Sequence, residues 1–493
     1  MIRDIFNAIV EEKDIRQNLI KLKAELKEGF NKTALLYHMG GNYDIFDKLL
    51  VKEDAKTRKH TALIMGELGV PCFLEKLYEA YKREEQLFVK SSYLAALKNF
   101  DYTCFIPEFK TRLDYLSDLT LDESNKKHIS EEMRLLSDLI IEKEGIKAHE
   151  FVGYNVSSNL VLLTNRNYKS ITLNQLSAYK AKEFNAGVMV KADNISEIVD
   201  IRTYSELLFL LDELKVCEND PQKAADAIAH SDLIEFLRKR HKGDEPYYFR
   251  IELKSKLELD KKSAFTKKLS SEIETLTNRK LINSTSNYEF EIRLIENKEG
   301  NYNVLIKLYT IKDDRFSYRI HSTATSIAPV NAALIANLAK EYLIEEGRVL
   351  DPFCGVGTML MERHKLVKAN TMYGLDVFAD AINKAKENTK AAHLIAHYVN
   401  RDFFDFKHDY LFDEIFTNMP RVMGHKEEDE IFSLYQRFFL KAKEHLEKKG
   451  IIILYSHNKE FVKKLVNDSV YRIEEEYEIS KKEGAYLFII RYL

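Results

Sequence analysis

The stretch RVLDPFCGVGT, residues 348–358, constrains this 493-residue chain more than any other. Its short strand pattern delivers Asp351 at a carboxyl end, the rim where open α/β sheets bind ligands. Gly355 and Gly357 let the backbone come close to a bound molecule, and Thr358 can open the helix that follows. Phe353 sits in the same loop. The spacing is not the dinucleotide GxGxxG and no Lys follows, so the loop is not built for a nucleotide phosphate. An acid at its mouth would repel a pyrophosphate. It suits a zwitterionic amino acid, whose carboxylate meets the loop amides and whose ammonium meets Asp351.

Strand and helix patterns alternate from that point to the C-terminus, which predicts parallel βαβ winding. Helices are expected from Met359, from Asp380, over 427–447 and from Lys459, and an antiparallel hairpin around KKEG (481–484) closes the chain. Asp376 ends the next strand, 25 residues after Asp351, where an acid accepts two ribose hydroxyls. The third strand ends in Asn400-Arg401-Asp402, and Asp402 can accept from an adenine amino group. Three acids at three successive strand ends fit an adenosine with a charged tail, that is, S-adenosyl-L-methionine. The fourth strand ends in Thr417-Asn418-Met419-Pro420. The Asn418 amide oxygen and the Met419 carbonyl can both accept from one exocyclic amine and aim its lone pair at a methyl group, and such positioning is the main catalytic need. Pro420 fixes the turn and removes a competing donor. No metal is implied.

Upstream, a different periodicity rules. RKHTALIMGELGVPCFLEKLYEAY from Arg58 aligns with KSSYLAALKNFDYTCFIPEFKTRL from Lys90 at an offset of 32. The apolar pairs are Ala62/Leu94, Met65/Leu97, Leu68/Phe100, Phe73/Phe105, Leu74/Ile106 and Leu77/Phe109, and a weaker copy starts at Leu35. Two short helices per unit, joined at Gly69 or Asp101, bury their faces only by stacking. This region resembles HEAT-type repeats, a surface for a protein partner, for RNA, or for packing alone.

Between the two, residues 150–320 mix elements. NLVLLTN, YYFRIELKS, YEFEIRLIE and YNVLIKLYT read as strands, while SELLFLLDEL, DLIEFLRKRH and FTKKLSSEIETLTN read as helices. The net charge of −3 excludes a general basic excess, so any nucleic-acid site must be local. The best local region is 235–280, with 13 Lys/Arg against 8 Asp/Glu, including Arg238, Lys239, Arg240, Lys242, Lys261, Lys262, Lys267 and Lys268. Four scattered cysteines without a CxxC pair suit a reducing cytoplasm and argue against zinc or disulfides. No signal-peptide core and no apolar run of membrane-span length is present in the sequence.

DPFCGVGT, YGLD, NRD and TNMP, preceded by YRIHSTATSIAPVNAALIANLA (318–339), resemble the THUMP-associated Rossmann-fold RNA methyltransferases, which modify guanine N2 in tRNA. The likeness covers residues 315–460, and LINSTSNYEFEIRLI (281–295) resembles the late part of a THUMP domain. The resemblance implies cofactor contacts from Asp351, Gly355, Thr358, Asp376 and Asp402, and a grip on the target amine from Asn418 and Pro420. The chain departs from the family at Arg421, where a Tyr or Phe stacks on the flipped-out base. An Arg plane can also stack on a base or hold a phosphate, and His425 can assist. Val356 replaces the usual serine and is expected to face outward or against the helix.

The expected fold class is therefore multidomain. It comprises N-terminal α-helical HEAT-like repeats (1–145), a central α+β THUMP-like region (150–320) and a C-terminal α/β Rossmann-like methyltransferase (325–493) with an antiparallel hairpin. The leading function is methylation of an exocyclic amine on an RNA base, guanine N2 in tRNA. The alternatives are a DNA or protein amino-methyltransferase, and a cofactor-binding protein that has lost turnover at position 421.

Overall fold

The computed structural model describes residues 2–117, 123–145, 148–243, 246–421, 428–466 and 469–493. The chain divides into two compact units. The first comprises Met1–Glu150, Val216–Ile234 and Gly243–Tyr302, and the second Phe151–Lys215, Glu235–Lys242 and Asn303–Leu493. Residues 150–320 thus contribute to both. Among the described residues, no helix is long and apolar enough to cross a membrane.

In the first unit, helices run from Ile2 to Glu144. The repeat seen in the sequence falls on the helix pairs Ala55–Leu68 with Phe73–Arg83 and Leu87–Leu97 with Ile106–Ser117. Ala62, Met65 and Leu77 and their counterparts Leu94, Leu97 and Phe109 are all buried in one helical core, as is Phe73, whose counterpart Phe105 packs against it half-buried. Gly66 carries the closest approach, since a Cβ there would overlap Ala96 of the next pair. The same unit holds three parallel strands, with Tyr247–Lys254 between Phe290–Glu296 and Leu281–Asn283, and the helix Leu259–Leu276.

The second unit opens with an antiparallel array. Ser158–Thr164 lies between Gly187–Ala192 and Tyr204–Leu210, and Lys180–Phe184 extends it as a hairpin. SELLFLLDEL is therefore a strand at Tyr204–Leu210, not a helix. A short Leu-rich run has helical propensity, but pairing with Ser158–Thr164 on one edge and at Ile306 on the other decides its state.

The C-terminal sheet has seven strands: β1 (Gly347–Asp351), β2 (Ala369–Asp376), β3 (His397–Asn400), β4 (Phe412–Asn418), β5 (Leu446–Ser456), β6 (Tyr471–Ser480) and β7 (Ala485–Tyr492), in the order β3-β2-β1-β4-β5-β7-β6. The first five are parallel; β7 runs antiparallel to both β5 and β6. Helices α1 (Thr358–Leu366), α2 (Ala379–Ala391), α3 (Glu428–Ala442) and α4 (Lys459–Leu465) link the parallel strands and the hairpin. Helix α3 ends five residues before the expected 447, because Leu446 already pairs with Phe412. Edge strand β6 carries Glu474, Glu475, Glu476 and Glu478, and the opposite edge, β3, is four residues long.

Helix α1 is locked by charge. Glu362 and Arg363 are adjacent in sequence and both buried. Arg363 Nε donates to Glu414 Oε2 of β4 at 2.9 Å, and its Nη groups reach the Val367 and Ile344 carbonyls at 2.6 Å. Both partners are 0% exposed. On the other side, Glu362 takes Arg202, which precedes the strand Tyr204–Leu210, and the Tyr318 hydroxyl.

Removing one partner of a buried, hydrogen-bonded pair leaves an uncompensated charge. Arg363→Met is expected to destabilise the protein by about 3–5 kcal/mol. The double variant Arg363→Met/Glu414→Leu should recover much of that loss. The chain has no Trp, so circular dichroism during urea unfolding is the measurement. A double variant weaker than either single one would refute the account.

Candidate cofactor and amine site

All of the strand-end residues singled out in the sequence lie on one rim, at the carboxyl ends of β1 to β4. Asp351 ends β1 and is fully buried. Its Oδ1 accepts from the Thr417 hydroxyl (2.6 Å) and the Phe353 amide (3.1 Å), while among the described residues its Oδ2 has no partner. Burial pushes its carboxyl up to about 7, with the Asp376 charge adding to the rise and the two donors opposing it.

The loop after β1 is shaped by two glycines in the left-handed region, Gly355 (φ 52°) and Gly357 (φ 82°). Gly357 caps α1, and Thr358 is the first helical residue, buried, its hydroxyl without a partner among the described residues. A Cβ on Gly357 would overlap the Tyr398 hydroxyl, whereas one on Gly355 would meet nothing. Tyr398, in β3, also fills the space beside Gly374 and bonds the Thr389 hydroxyl of α2 at 2.8 Å. It is a wedge beneath the loop. Val356 does not face outward: it is buried, and its carbonyl accepts from the Asn388 amide at 3.2 Å. The same Asn388 exchanges two hydrogen bonds with the backbone of His321, which ties the lead-in segment to the loop. Phe353 is half-buried against Phe403 and Phe438.

Asp376, at the end of β2, accepts the Gly355 amide on Oδ2 (3.0 Å) and the Phe378 amide on Oδ1 (2.9 Å). Each carboxylate oxygen keeps a lone pair for a further donor. Beside it, Val377 and Phe378 are 57% and 71% exposed. Asp402 uses Oδ1 to cap the turn at Phe404 (3.0 Å).

Asn418 ends β4, two strands from Asp376. Among the described residues its side-chain amide makes no hydrogen bond. The Met419 amide donates to the Tyr455 carbonyl of β5 (2.9 Å), and the Tyr435 hydroxyl reaches the Pro420 carbonyl at 3.4 Å. Tyr435 is buried and bonded to Ser456 (2.8 Å) and Asn458 (3.2 Å), so a polar network supports the loop from below. Arg421 is exposed. Burial pushes the Tyr455 hydroxyl up to about 12, with Glu483 acting the same way and Arg421 opposing. Residues 422–427, and with them His425, lie outside the described residues.

The sequence reading missed Thr417, Tyr398, Asn388, Tyr435 and the Val377-Phe378 pair. Phe378 carried a signal, an aromatic directly after a strand-end acid; the others read as ordinary strand or helix positions.

Residues 323–486 match the family model described as Methyltransferase small domain. No curated protein matches the sequence. The fold is similar to TrmN from Thermus thermophilus (TM-score 0.53, 19% identity, 68% of this chain and 100% of that one). It is also similar to SMU.472, assigned as a methyltransferase and complexed with SAH (0.54, 14%, 68% and 98%), and to a predicted N6-adenine-specific DNA methylase from Listeria monocytogenes str. 4b F2365 (0.53, 15%, 68% and 96%). At these identities the likeness is one of fold, and at 68% of the chain it extends beyond the C-terminal sheet. The C-terminal domain is thus of the S-adenosylmethionine-dependent methyltransferase class, and S-adenosylmethionine is its cofactor. The rim fits that ligand: among the described residues, a fully buried carboxylate oxygen and a buried hydroxyl stand without partners on either side of the loop.

Gly357→Ala is expected to lower the melting temperature more than Gly355→Ala. Both incur left-handed strain of about 1–2 kcal/mol, but only the first also collides with Tyr398. Equal shifts in a thermal scan would show that Tyr398 yields freely.

Proposed function

We propose that this protein methylates an exocyclic amino group of an RNA base, guanine N2 in tRNA, using S-adenosylmethionine. The observation that carries the proposal is the free Asn418 amide on the strand next to the unpartnered Asp351 oxygen, held from below by Thr417, Tyr435 and Tyr455. In this reading Asp351 Oδ2 receives the cofactor ammonium, and the amides around Gly355 and Gly357 face its carboxylate. Phe353 and Thr358 line the loop, Asp376 accepts the ribose hydroxyls, and Asp402 accepts from adenine. Val377 and Phe378 give the adenine ring an apolar face.

When bound, the cofactor supplies an electrophilic methyl group on sulfonium. Asn418 and the Met419 carbonyl hold the amine by its protons and direct its lone pair in line. Pro420 offers no competing N–H, and Arg421 lies flat against the target base or grips its phosphate. The central region acts as a THUMP-like RNA-binding part and the helical pairs as a HEAT-type surface for a protein partner, in the cytoplasm. Part of the basic stretch serves structure instead: Arg240 is buried against Phe236 and bonded to Ser157 and Ser158, and Arg279 is paired with Glu274. The exposed residues Lys261, Lys267 and Lys268 on the helix Leu259–Leu276 are left for RNA.

Incubation with labelled cofactor and cellular RNA, DNA and protein in competition is the direct test, and label confined to DNA or protein would reject the RNA assignment. Asn418→Ala is expected to lower kcat by about a hundredfold, the scale of a lost positioning contact, with cofactor affinity unchanged. A matching loss of cofactor affinity would move Asn418 out of the amine role.

The Asp351 carboxyl is pushed up to about 7 in the folded protein, against 3.8 for the free group. Folding binds a proton here, so its contribution to stability is greatest below 3.8 and declines as pH rises toward 7. A cationic ammonium favours the ionised form, so cofactor affinity should increase as pH rises from about 6 to 8. Calorimetry with S-adenosylhomocysteine should show this increase, and Asp351→Asn should bind weakly and without the slope. A flat wild-type profile would remove Asp351 as the ammonium acceptor.

A further inference from the structure

The hairpin at the end of the sheet brings charge to the same rim. Asn418 of β4 pairs with Tyr455 of β5, Ser456 of β5 pairs with Tyr486 of β7, and Glu478 of β6 pairs with Tyr486. Because β7 runs against β5, the turn 481–484 lies at the carboxyl ends of the parallel strands; Leu487 of β7 is two strand spacings, roughly 10 Å, from Asn418, and the turn starts three residues beyond it. His457 Nδ1 holds that turn at the Glu483 carbonyl (3.1 Å). One strand further, the loop after Ser158–Thr164 is stapled to β6 by two side-chain amides: Asn165 donates to the Ile479 carbonyl (2.8 Å) and Asn167 to the Glu478 carbonyl (3.0 Å). Tyr168 meets Tyr477 edge-on beside them. The residue between the two amides, Arg166, is exposed at the foot of the turn.

Arg421, Lys481, Lys482 and Arg166 therefore come from three segments to one side of the amine site. Among the described residues none of the four has an ion pair. Neighbouring lysines differ: Lys459 and Lys463 are both taken by Glu476. The carboxylates nearby are Glu483 in the turn and Glu478, which accepts the Tyr486 hydroxyl at 3.2 Å. Two fixed amides and a histidine hold these cations on a frame, unlike a solvated helix face whose charges pair within the helix.

We propose that Arg166, Lys481 and Lys482 continue from Arg421 as a track for the phosphodiester backbone of the RNA on one side of the target base. The inference rests on the RNA reading above and deepens it. At about 3.4 Å per stacked nucleotide, the four strand spacings from Asn418 across β5, β7 and β6 to the loop of Arg166, roughly 19 Å, accommodate about five or six nucleotides. It also gives the loop after Ser158–Thr164 a direct part in substrate binding at the catalytic rim.

The test measures binding of the full-length protein to fluorescent tRNA and to a short single-stranded RNA, by anisotropy, from about 50 to 200 mM salt. The variant is Arg166→Ala/Lys481→Ala/Lys482→Ala, with Lys482→Ala alone as a milder companion. The triple variant is expected to bind at least about tenfold more weakly and to lose about 2–3 units of slope in log Kd against log salt, near one per phosphate contact. Affinity for S-adenosylhomocysteine should stay at the wild-type value. Wild-type RNA affinity and slope in the triple variant would overturn the track and leave the RNA reading standing. Absence of RNA binding by the unaltered protein would overturn both.

Discussion

The C-terminal domain depends on the ion pair between Arg363 and Glu414. Both side chains are sealed from solvent, in a setting where a lone charge is costly and a paired one is tolerable only with its remaining hydrogen bonds filled. Here they are filled, by the carbonyls of Ile344 and Val367 and the amide of Ile344. The pair joins the helix behind the glycine loop to the strand that ends in Asn418. The two halves of the proposed reaction, cofactor and amine, are thus fixed to each other below the rim, in addition to the Thr417–Asp351 hydrogen bond and the β1–β4 pairing. Such fixed geometry is what methyl transfer between two bound groups requires.

The neighbouring Glu362 extends the clamp in the opposite direction, to Arg202 and Tyr318. Arg202 also reaches the Arg315 carbonyl, and Arg315 in turn binds Asp313 and the carbonyls of Ile201 and Tyr204. One helical turn therefore couples the glycine loop to the antiparallel array upstream. The asparagine staples at 165 and 167 make a second link between that array and the sheet. Functional loops carried by a rigid scaffold are a common arrangement, and here the antiparallel array and the C-terminal sheet supply it.

Much of this was legible in the chain. Alternating apolar runs gave the strands, acids at their ends marked the rim, and the 32-residue offset gave the helix pairs. The failures have physical causes. SELLFLLDEL is too short and too uniformly apolar for period to separate helix from strand, and pairing on both edges chose the strand. Glu362 and Arg363 carry no mark in the sequence, which does not reveal which charges will meet an opposite charge inside. For Val356 the sequence allows a side chain that faces outward or packs against the helix, and its burial decides against the first. Tyr398 and Thr417 act only through residues far away in the chain, beneath Gly357 and against Asp351, so neither could be recognised from its neighbours.

The two borders of the seven-stranded sheet are unlike, and the difference bears on how the protein keeps to itself in a crowded cell. An open strand border offers unpaired amides and carbonyls to any extended chain. At one border β3 is too short to template much. At the other, β6 is ten residues long; the Asn165 and Asn167 amides occupy its Ile479 and Glu478 carbonyls, and the stretch before them would invite pairing. Its glutamates answer that hazard: Glu474 is engaged by Arg472 and Arg491, Glu476 by Lys459 and Lys463, and Glu475 and Glu478 lie between and beyond them. A second chain docking there would have to strip or bury these charges. The acidic run YRIEEEYEIS thus acts as a guard against sheet-to-sheet aggregation.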